Sequence, residues 1–400
     1  MNPSFTKFMV LVTVILMDVL GGAELDLFVP SFPELQTQFG LSPFWVEALL
    51  SVNFIGFFLS LFFVGSLADR HGRKPIILWG ILIFIIGSSL CLWATSYPFL
   101  LGGRFLQGIG IAGPATLCFL IIADAYPLKE QQFLMAMLNG VMNAAVGAAP
   151  VVGSYIALYF HWQGSFVVLL CSGVVVGLMT IFFIPKDKLP EKKETLSLGG
   201  YMPLFRSRPL MLVIVHIVFL FVPYWIFAGM SPLLYMQSLG VTLSQFGYYQ
   251  GALATAFALG SVVFGFIINR YEQKKLLSLS AKLSLFGFLC IALVTFMGTT
   301  SPLLITLAFL AFITVQIIPG SILYPLCISF MPKAKGKVSA VVQGLRLLLS
   351  AVVLQVAGYF YTGTFRSIGV IILCFILVTM VTSFFVIRNR ELMDFSEASN

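Results

Sequence analysis

The chain has 400 residues, of which 59% are hydrophobic and only 10% charged, a balance that no water-exposed globular surface sustains. Its formal charge of +8 comes without the interleaved basic and aromatic residues that nucleic acid would ask for. Walker loops, metal-ligand clusters and nucleophile–base spacings are missing as well, so the sequence asks for no enzyme chemistry, cofactor or metal.

The solvent for most of the chain is therefore lipid, and a helix needs about 20 apolar residues to cross its hydrocarbon core. Twelve stretches qualify, at roughly 8–32, 44–67, 76–94, 99–122, 132–157, 164–184, 210–236, 245–268, 277–297, 302–328, 338–361 and 367–388. The first is too long and too acidic for a signal peptide and lacks a cleavage site, which predicts a retained helix. It carries Asp18, Glu24 and Asp26, whereas spans seven to twelve contain no Asp or Glu. Removing water favours the neutral form of a carboxylic acid, so these acids are the candidates for carrying protons. At about 100° per residue, Asp18 and Asp26 point about 80° apart and Glu24 about 160° from Asp26, so a straight helix cannot aim all three into one cavity. Asp26 ranks first and Asp18 second. Glu24 ranks third, with an interfacial or salt-bridged position as its alternative.

Between spans two and three the run Gly65 to Lys74 reads as a dense charged loop. Span four holds Arg104, a cation inside the membrane, either functional or half of a structural salt bridge. In span five Gly140, Gly147 and Gly153 permit close helix approach and Pro150 a bend, together able to seal or hinge the halves. Residues 185–209, with Pro185, Pro190 and the charge run Lys186 to Glu194, form the one long polar connection. They separate residues 1–184 from 210–390, and 391–400 form a tail. Span seven is crowded with aromatics; Tyr224 and Trp225, with Tyr248 and Tyr249 of span eight, are candidates for stacking flat apolar molecules, with lipid-facing packing as the alternative. Pro223 is expected to break span seven, and His216 and Gln316 are weaker cavity candidates. Arg346 in span eleven can meet an acidic group of a cargo, a span-one carboxylate or backbone carbonyls. All six cysteines fall inside spans, at no ligand or redox spacing, as packing residues. Nineteen of the 23 Lys and Arg lie on the side of the N-terminus and only Arg366 in an opposite loop, which predicts cytoplasmic termini.

Several of these stretches carry a family resemblance. Gly65, Leu67, Ala68, Asp69, Arg70, Gly72, Arg73 and Lys74, with Ile77 beyond, resemble the cytoplasmic signature of the major facilitator superfamily, G-x-L-a-D-R-x-G-R-K-x-x-l. Arg104-Phe105-Leu106-Gln107-Gly108 is similar to the R-x-x-q-G motif of its proton-driven exporters. The run Leu25 to Pro33, Asp124-Ala125-Tyr126-Pro127, Gly229-Met230-Ser231-Pro232 and Phe246-Gly247-Tyr248-Tyr249 resemble the bicyclomycin and chloramphenicol resistance branch of 12-span drug:proton antiporters. The branch's fifth-span G-P-x-x-G-G survives only as Pro150 and Gly153.

The resemblance implies an all-α membrane protein of 12 transmembrane helices in two six-helix bundles, with substrate bound near the midplane between them. It implies proton-coupled export of small molecules by alternating access, as in antibiotic resistance, by a monomer in the bacterial cytoplasmic membrane. Its partners are then a small-molecule substrate, protons and lipid, with no nucleic acid. Asp26, Asp18, Arg104 and Glu24 take the proton-coupling role. Arg346, Tyr224, Trp225, Tyr248, Tyr249 and Gln316 take the substrate, and Gly65, Asp69, Arg70, Gly72, Arg73, Pro150 and Gly153 the gating, for which a static loop staple is the alternative. Two other functions stay open: export or uptake of one metabolite or siderophore, and a non-transporting sensor or scaffold that has kept the fold.

Overall fold

The computed structural model describes residues 3–126, 128–185, 202–331, 335–389 and 391–393. Among them the regular elements are helical: α1 (Pro3–Asp26), α2 (Phe32–Phe39), α3 (Pro43–His71), α4 (Arg73–Leu92), α5 (Tyr97–Ala125), α6 (Leu128–Phe183), α7 (Met202–Arg206), α8 (Arg208–Pro232), α9 (Leu243–Ile267), α10 (Gln273–Met297), α11 (Pro302–Ile313), α12 (Ile317–Ser329), α13 (Lys335–Phe360) and α14 (Phe365–Arg388). Eleven helical stretches of the described residues are long and apolar enough to cross a membrane. The 56 residues of α6 would measure about 84 Å if straight, almost three hydrocarbon cores. They do not run straight, because His161 (φ 57°, ψ −172°) breaks the helix between the stretches expected as spans five and six. The charge run of the connection lies outside the described residues, as does most of the tail.

The chain divides into two compact units, one of Met1–Leu196 with Leu243–Ala254, the other of Ser197–Thr242 with Thr255–Asn400. In the first, α5 lies against α3 and α4, and α6 packs on α1 and α4. Glycine makes these approaches possible: a methyl at Gly108 would overlap the Asn53 carbonyl of α3, and one at Gly110 the Phe84 backbone of α4. In the second, α8 packs on α13 and α14, with Leu210, Val213, Ile214 and Ile217 in the core and the rings of Phe227 and Phe309 stacked at 4.1 Å.

Four details differ from the sequence reading. The first apolar stretch is not one helix to residue 32: α1 stops at Asp26, and a 3-10 turn at Val29–Ser31, with Pro30 inside it, leads into α2. The charged run Gly65 to Lys74 is almost wholly helical. It is broken only at Gly72, whose φ of 89° is a backbone state that side chains resist, so α3 and α4 meet at one residue. Pro223 does not break α8; the helix runs through it to Pro232 and passes into a π turn at Leu233–Ser238. The stretch expected as span ten is interrupted by a 3-10 turn at Thr314–Gln316.

Candidate functional site

The densest group of buried polar side chains lies in the first unit, where α1, α3, α4 and α5 meet. Arg104 of α5 is fully buried. A guanidinium in that position needs compensation from every side, because stripping its water costs several kcal/mol. Its Nη1 donates to Gln107 Oε1 at 2.7 Å and lies 3.5 Å from Glu24 Oε1. Its Nε donates to the Leu49 carbonyl at 3.3 Å, and its Cζ sits 4.1 Å from the centre of the Phe28 ring. Asn53 ties three helices together, its Nδ2 donating to Glu24 Oε1 and, at 3.2 Å, to the Arg104 carbonyl. That second bond exists because Gly108, one turn past Arg104, lets α5 close on α3. Gln107 carries the network onward, its Nε2 donating to Ser88 Oγ at 2.8 Å, which donates to the Phe84 carbonyl.

The network is not saturated. Arg104 Nη2 and Asn53 Oδ1 are buried without a partner among the described residues. Asp26, at the last position of α1, and Asp18, about 12 Å back along the axis, are each 2% exposed, and each has one buried oxygen without a partner. The helix thus presents one carboxylate paired to a cation and two that each leave one oxygen without a partner among the described residues. It is Glu24, ranked third as a proton carrier with a salt-bridged position as its alternative, that meets Arg104. The helical wheel had only the direction of each acid on α1; the partner's position is set by how α5 packs.

The signature residues do structural work within their own unit. Arg73 Nη1 donates to the Leu120 carbonyl near the end of α5, and Lys74 Nζ to the carbonyls of Ile181 and Ile184 at 2.7 Å each, at the end of α6. Lys74 thereby satisfies carbonyls at a helix end that lack intrahelical donors, since α6 stops at Phe183 and Pro185 has no N–H. Gly65 faces open space, and Asp69 and Arg70 are exposed on the last turn of α3. Pro150 lies inside α6, where its carbonyl accepts from Ser154 Oγ at 2.8 Å, and Gly153 lies so close to Leu27 that a methyl would overlap the Leu27 carbonyl. Tyr248 shares a 2.7 Å hydrogen bond with Tyr155 of α6 and is 62% exposed, while Tyr249 is half-buried beside it on α9.

In the second unit Arg346 of α13 lies 5.4 Å from the Phe221 ring, and its Nε has no partner among the described residues. Gln316, in the interruption of span ten, donates to the Leu220 carbonyl at 2.6 Å, next to that same phenylalanine. Tyr224 and Trp225 are half-buried in edge-to-face contact at 5.4 Å. His216 is buried with Nδ1 2.9 Å from Thr382 Oγ1. The sequence reading missed the roles of Asn53 and Gln107. Each was visible as an isolated polar residue in an apolar span, and Gln107 was already inside a quoted motif.

The family model described as Major Facilitator Superfamily matches residues 14–354. The chain belongs to the major facilitator superfamily. This facilitator is 26% identical over 290 residues to "Multidrug resistance protein MdtL" of Salmonella heidelberg (strain SL476), covering 70% of this chain and 73% of that one. To the protein of the same name in Salmonella typhi it is 27% identical over 276 residues, covering 67% and 68%. Its fold matches the crystal structure of the D-xylose-proton symporter with a TM-score of 0.77, at 15% identity over 95% of this chain and 97% of that one. A bacterial homologue of the human lysosomal transporter Spinster, inward-facing and occupied, matches with 0.76 at 15% identity, over 95% and 96%. The facilitator is thus an integral, multi-pass membrane transporter of small molecules.

Proposed function

We propose that this facilitator exports drug-like small molecules in exchange for protons, as a monomer in the bacterial cytoplasmic membrane. The MdtL relatives support the cargo class by their name. Twelve crossings follow if the break at His161 divides α6 into two spans, and the Lys and Arg asymmetry then puts both termini in the cytoplasm. Residues 1–184 and 210–390 become the two six-helix bundles, with 185–209 as linker and 391–400 as tail.

The observation that carries the coupling is the buried Glu24–Arg104 pair, with its unsatisfied edge at Arg104 Nη2. A carboxylate beside a cation holds the pair closed while ionised. Protonation removes the attraction and frees the guanidinium for another acceptor, so the two protonation states favour different arrangements of α1 against α5. Asp26 and Asp18, buried and each with one oxygen lacking a partner among the described residues, supply further proton acceptors on the same helix. Proton uptake from the acidic outside and release inside then alternate with cargo, which Arg346, Gln316, Tyr224 and Trp225 of the second unit, and Tyr248 and Tyr249 of α9, contact. Gly65, Asp69, Arg70, Gly72 and Arg73 act at the cytoplasmic end, and Pro150 and Gly153 at the contact of α6 with α1, as gates.

The test is proton release from acidified inverted vesicles on addition of a panel of antibiotics and dyes. Wild type is expected to respond to at least one compound, and Glu24→Gln and Arg104→Ala to none at equal protein levels. Responses that survive both substitutions would remove the coupling role from the pair.

A further inference from the structure

Among the described residues one more acid is buried that the coupling scheme does not use. Glu47 stands in the second turn of α3 with no exposed surface, and neither of its carboxyl oxygens has a hydrogen-bond partner among the described residues. The contrast with Glu24 on α1 is direct: there one oxygen holds both Asn53 and Arg104.

Among the described residues the titratable groups of the elements that pack on α3 bond elsewhere, Cys91 of α4 to the Leu100 carbonyl and Cys118 of α5 to the Ala115 carbonyl included, and Arg104 keeps only its Nη2 without a partner. On α5, Arg104 bonds Gln107 and Leu49, and Tyr97 donates to the Trp45 carbonyl. On α4, Arg73 and Lys74 reach the carbonyls of Leu120, Ile181 and Ile184. On α2, Glu34 meets His161 Nδ1 at 2.9 Å and accepts from the Trp162 backbone N–H at 3.0 Å. Within α3 itself, Asp69, Arg70 and His71 are about 22 residues, or six turns, away. An ionised carboxylate stripped of water, with no donor to either oxygen among the described residues, is far too costly to persist, whereas the neutral acid needs much less.

We infer that Glu47 is a second proton-binding site, separate from the Glu24–Arg104 pair, that is occupied by a proton in this arrangement and empties when α3 exchanges its present neighbours for water. The inference rests on the antiport reading for its function but not for its chemistry. The site takes one proton from the outer water and returns it to the cytoplasm; no bond other than O–H forms or breaks. Each cargo molecule then moves against more protons than the α1 acids alone supply. Because moving one elementary charge through 100 mV is worth about a fifty-fold concentration ratio, loss of this proton lowers the steepest gradient the protein can maintain by about that factor at 100 mV, and by a further tenfold for each pH unit across the membrane.

Two measurements on the full-length protein in lipid test it. Infrared spectroscopy of the wild type at neutral pH is expected to show the carbonyl stretch of a protonated carboxylic acid that Glu47→Gln lacks and Glu47→Asp keeps, shifted. In proteoliposomes with ethidium as probe, the protons moved per ethidium are expected to fall by one in Glu47→Gln and to return in Glu47→Asp. An unchanged infrared band overturns the inference whether or not ethidium is carried. A lost band with an unchanged proton ratio also overturns it, leaving Glu47 a static buried acid. If the band is lost while neither ethidium nor any panel compound is carried by the wild type, the antiport reading has failed instead, and with it the second site as a coupling device, although the protonated acid stands.

Discussion

Glu24→Gln is the change that bears most on the buried network. It keeps the shape of the side chain and an acceptor for Asn53 but removes the negative charge 3.5 Å from Arg104. Breaking one side of a buried ion pair costs 3–5 kcal/mol, because the remaining charge stays desolvated. Here Arg104 keeps Gln107 at 2.7 Å, the Leu49 carbonyl at 3.3 Å and the Phe28 ring at 4.1 Å, so the low end applies, about 3 kcal/mol. Arg104→Gln strands the carboxylate and is expected to cost about the same. The double variant removes both charges and is expected to cost about 2 kcal/mol less than the sum of the two, which is the size of coupling found for groups in direct contact. Reversible unfolding in mixed micelles, followed as a double-mutant cycle, reads this coupling. A single Glu24→Gln cost below about 1 kcal/mol, or additivity in the double variant, would refute the idea that these two groups compensate each other.

Other positions give independent checks. Gly108→Ala drives a methyl into the Asn53 carbonyl, backbone against backbone, and is expected to destabilise by about 3 kcal/mol and to abolish transport; a silent substitution would mean α3 and α5 are not so close. His161→Gly frees a residue held at φ 57° and ψ −172°, a region that costs side chains about 1–3 kcal/mol, against loss of an exposed contact to Glu34. The variant is expected to be more stable by about 1 kcal/mol in thermal unfolding, and destabilisation would contradict the assignment of strain there. Lys74→Ala removes two bonds to the end of α6 and is expected to cost about 1–2 kcal/mol, with Lys74→Arg restoring most of it; no loss would show that those carbonyls are satisfied by water.

Much of the fold was legible because lipid imposes a single rule, that an apolar run long enough to cross must be a helix. The apolar stretches follow from that rule, and eleven helices of the described residues are long and apolar enough to cross. Where helices stop was less legible. Gly72 ends α3 alone, and the charged residues before it stay helical, since a helix leaving the membrane has no reason to unwind when its polar side chains meet water. Pro223 was misread because one missing hydrogen bond within a well-packed span is tolerated. In the site, Arg104 and the three acids of α1 stood out as charges where charge is costly. Which acid meets the arginine did not, because that depends on the close contact of α3 with α5 at Gly108 and on Asn53, a residue without charge or motif to mark it. Glu47 was hidden differently: it is a single acid inside the apolar run of span two, with no motif and no second charge in that span to mark it.

Uphill transport under an imposed gradient tests proton coupling most directly. Purified protein in proteoliposomes, made acidic inside and challenged with a dye that the panel has identified, is expected to accumulate the dye against its own gradient in the wild type. It is expected to lose that accumulation on addition of a protonophore, and to show only downhill exchange in Glu24→Gln. Accumulation that ignores the pH gradient, or that Glu24→Gln sustains as well as the wild type, would contradict proton coupling through the Glu24–Arg104 pair.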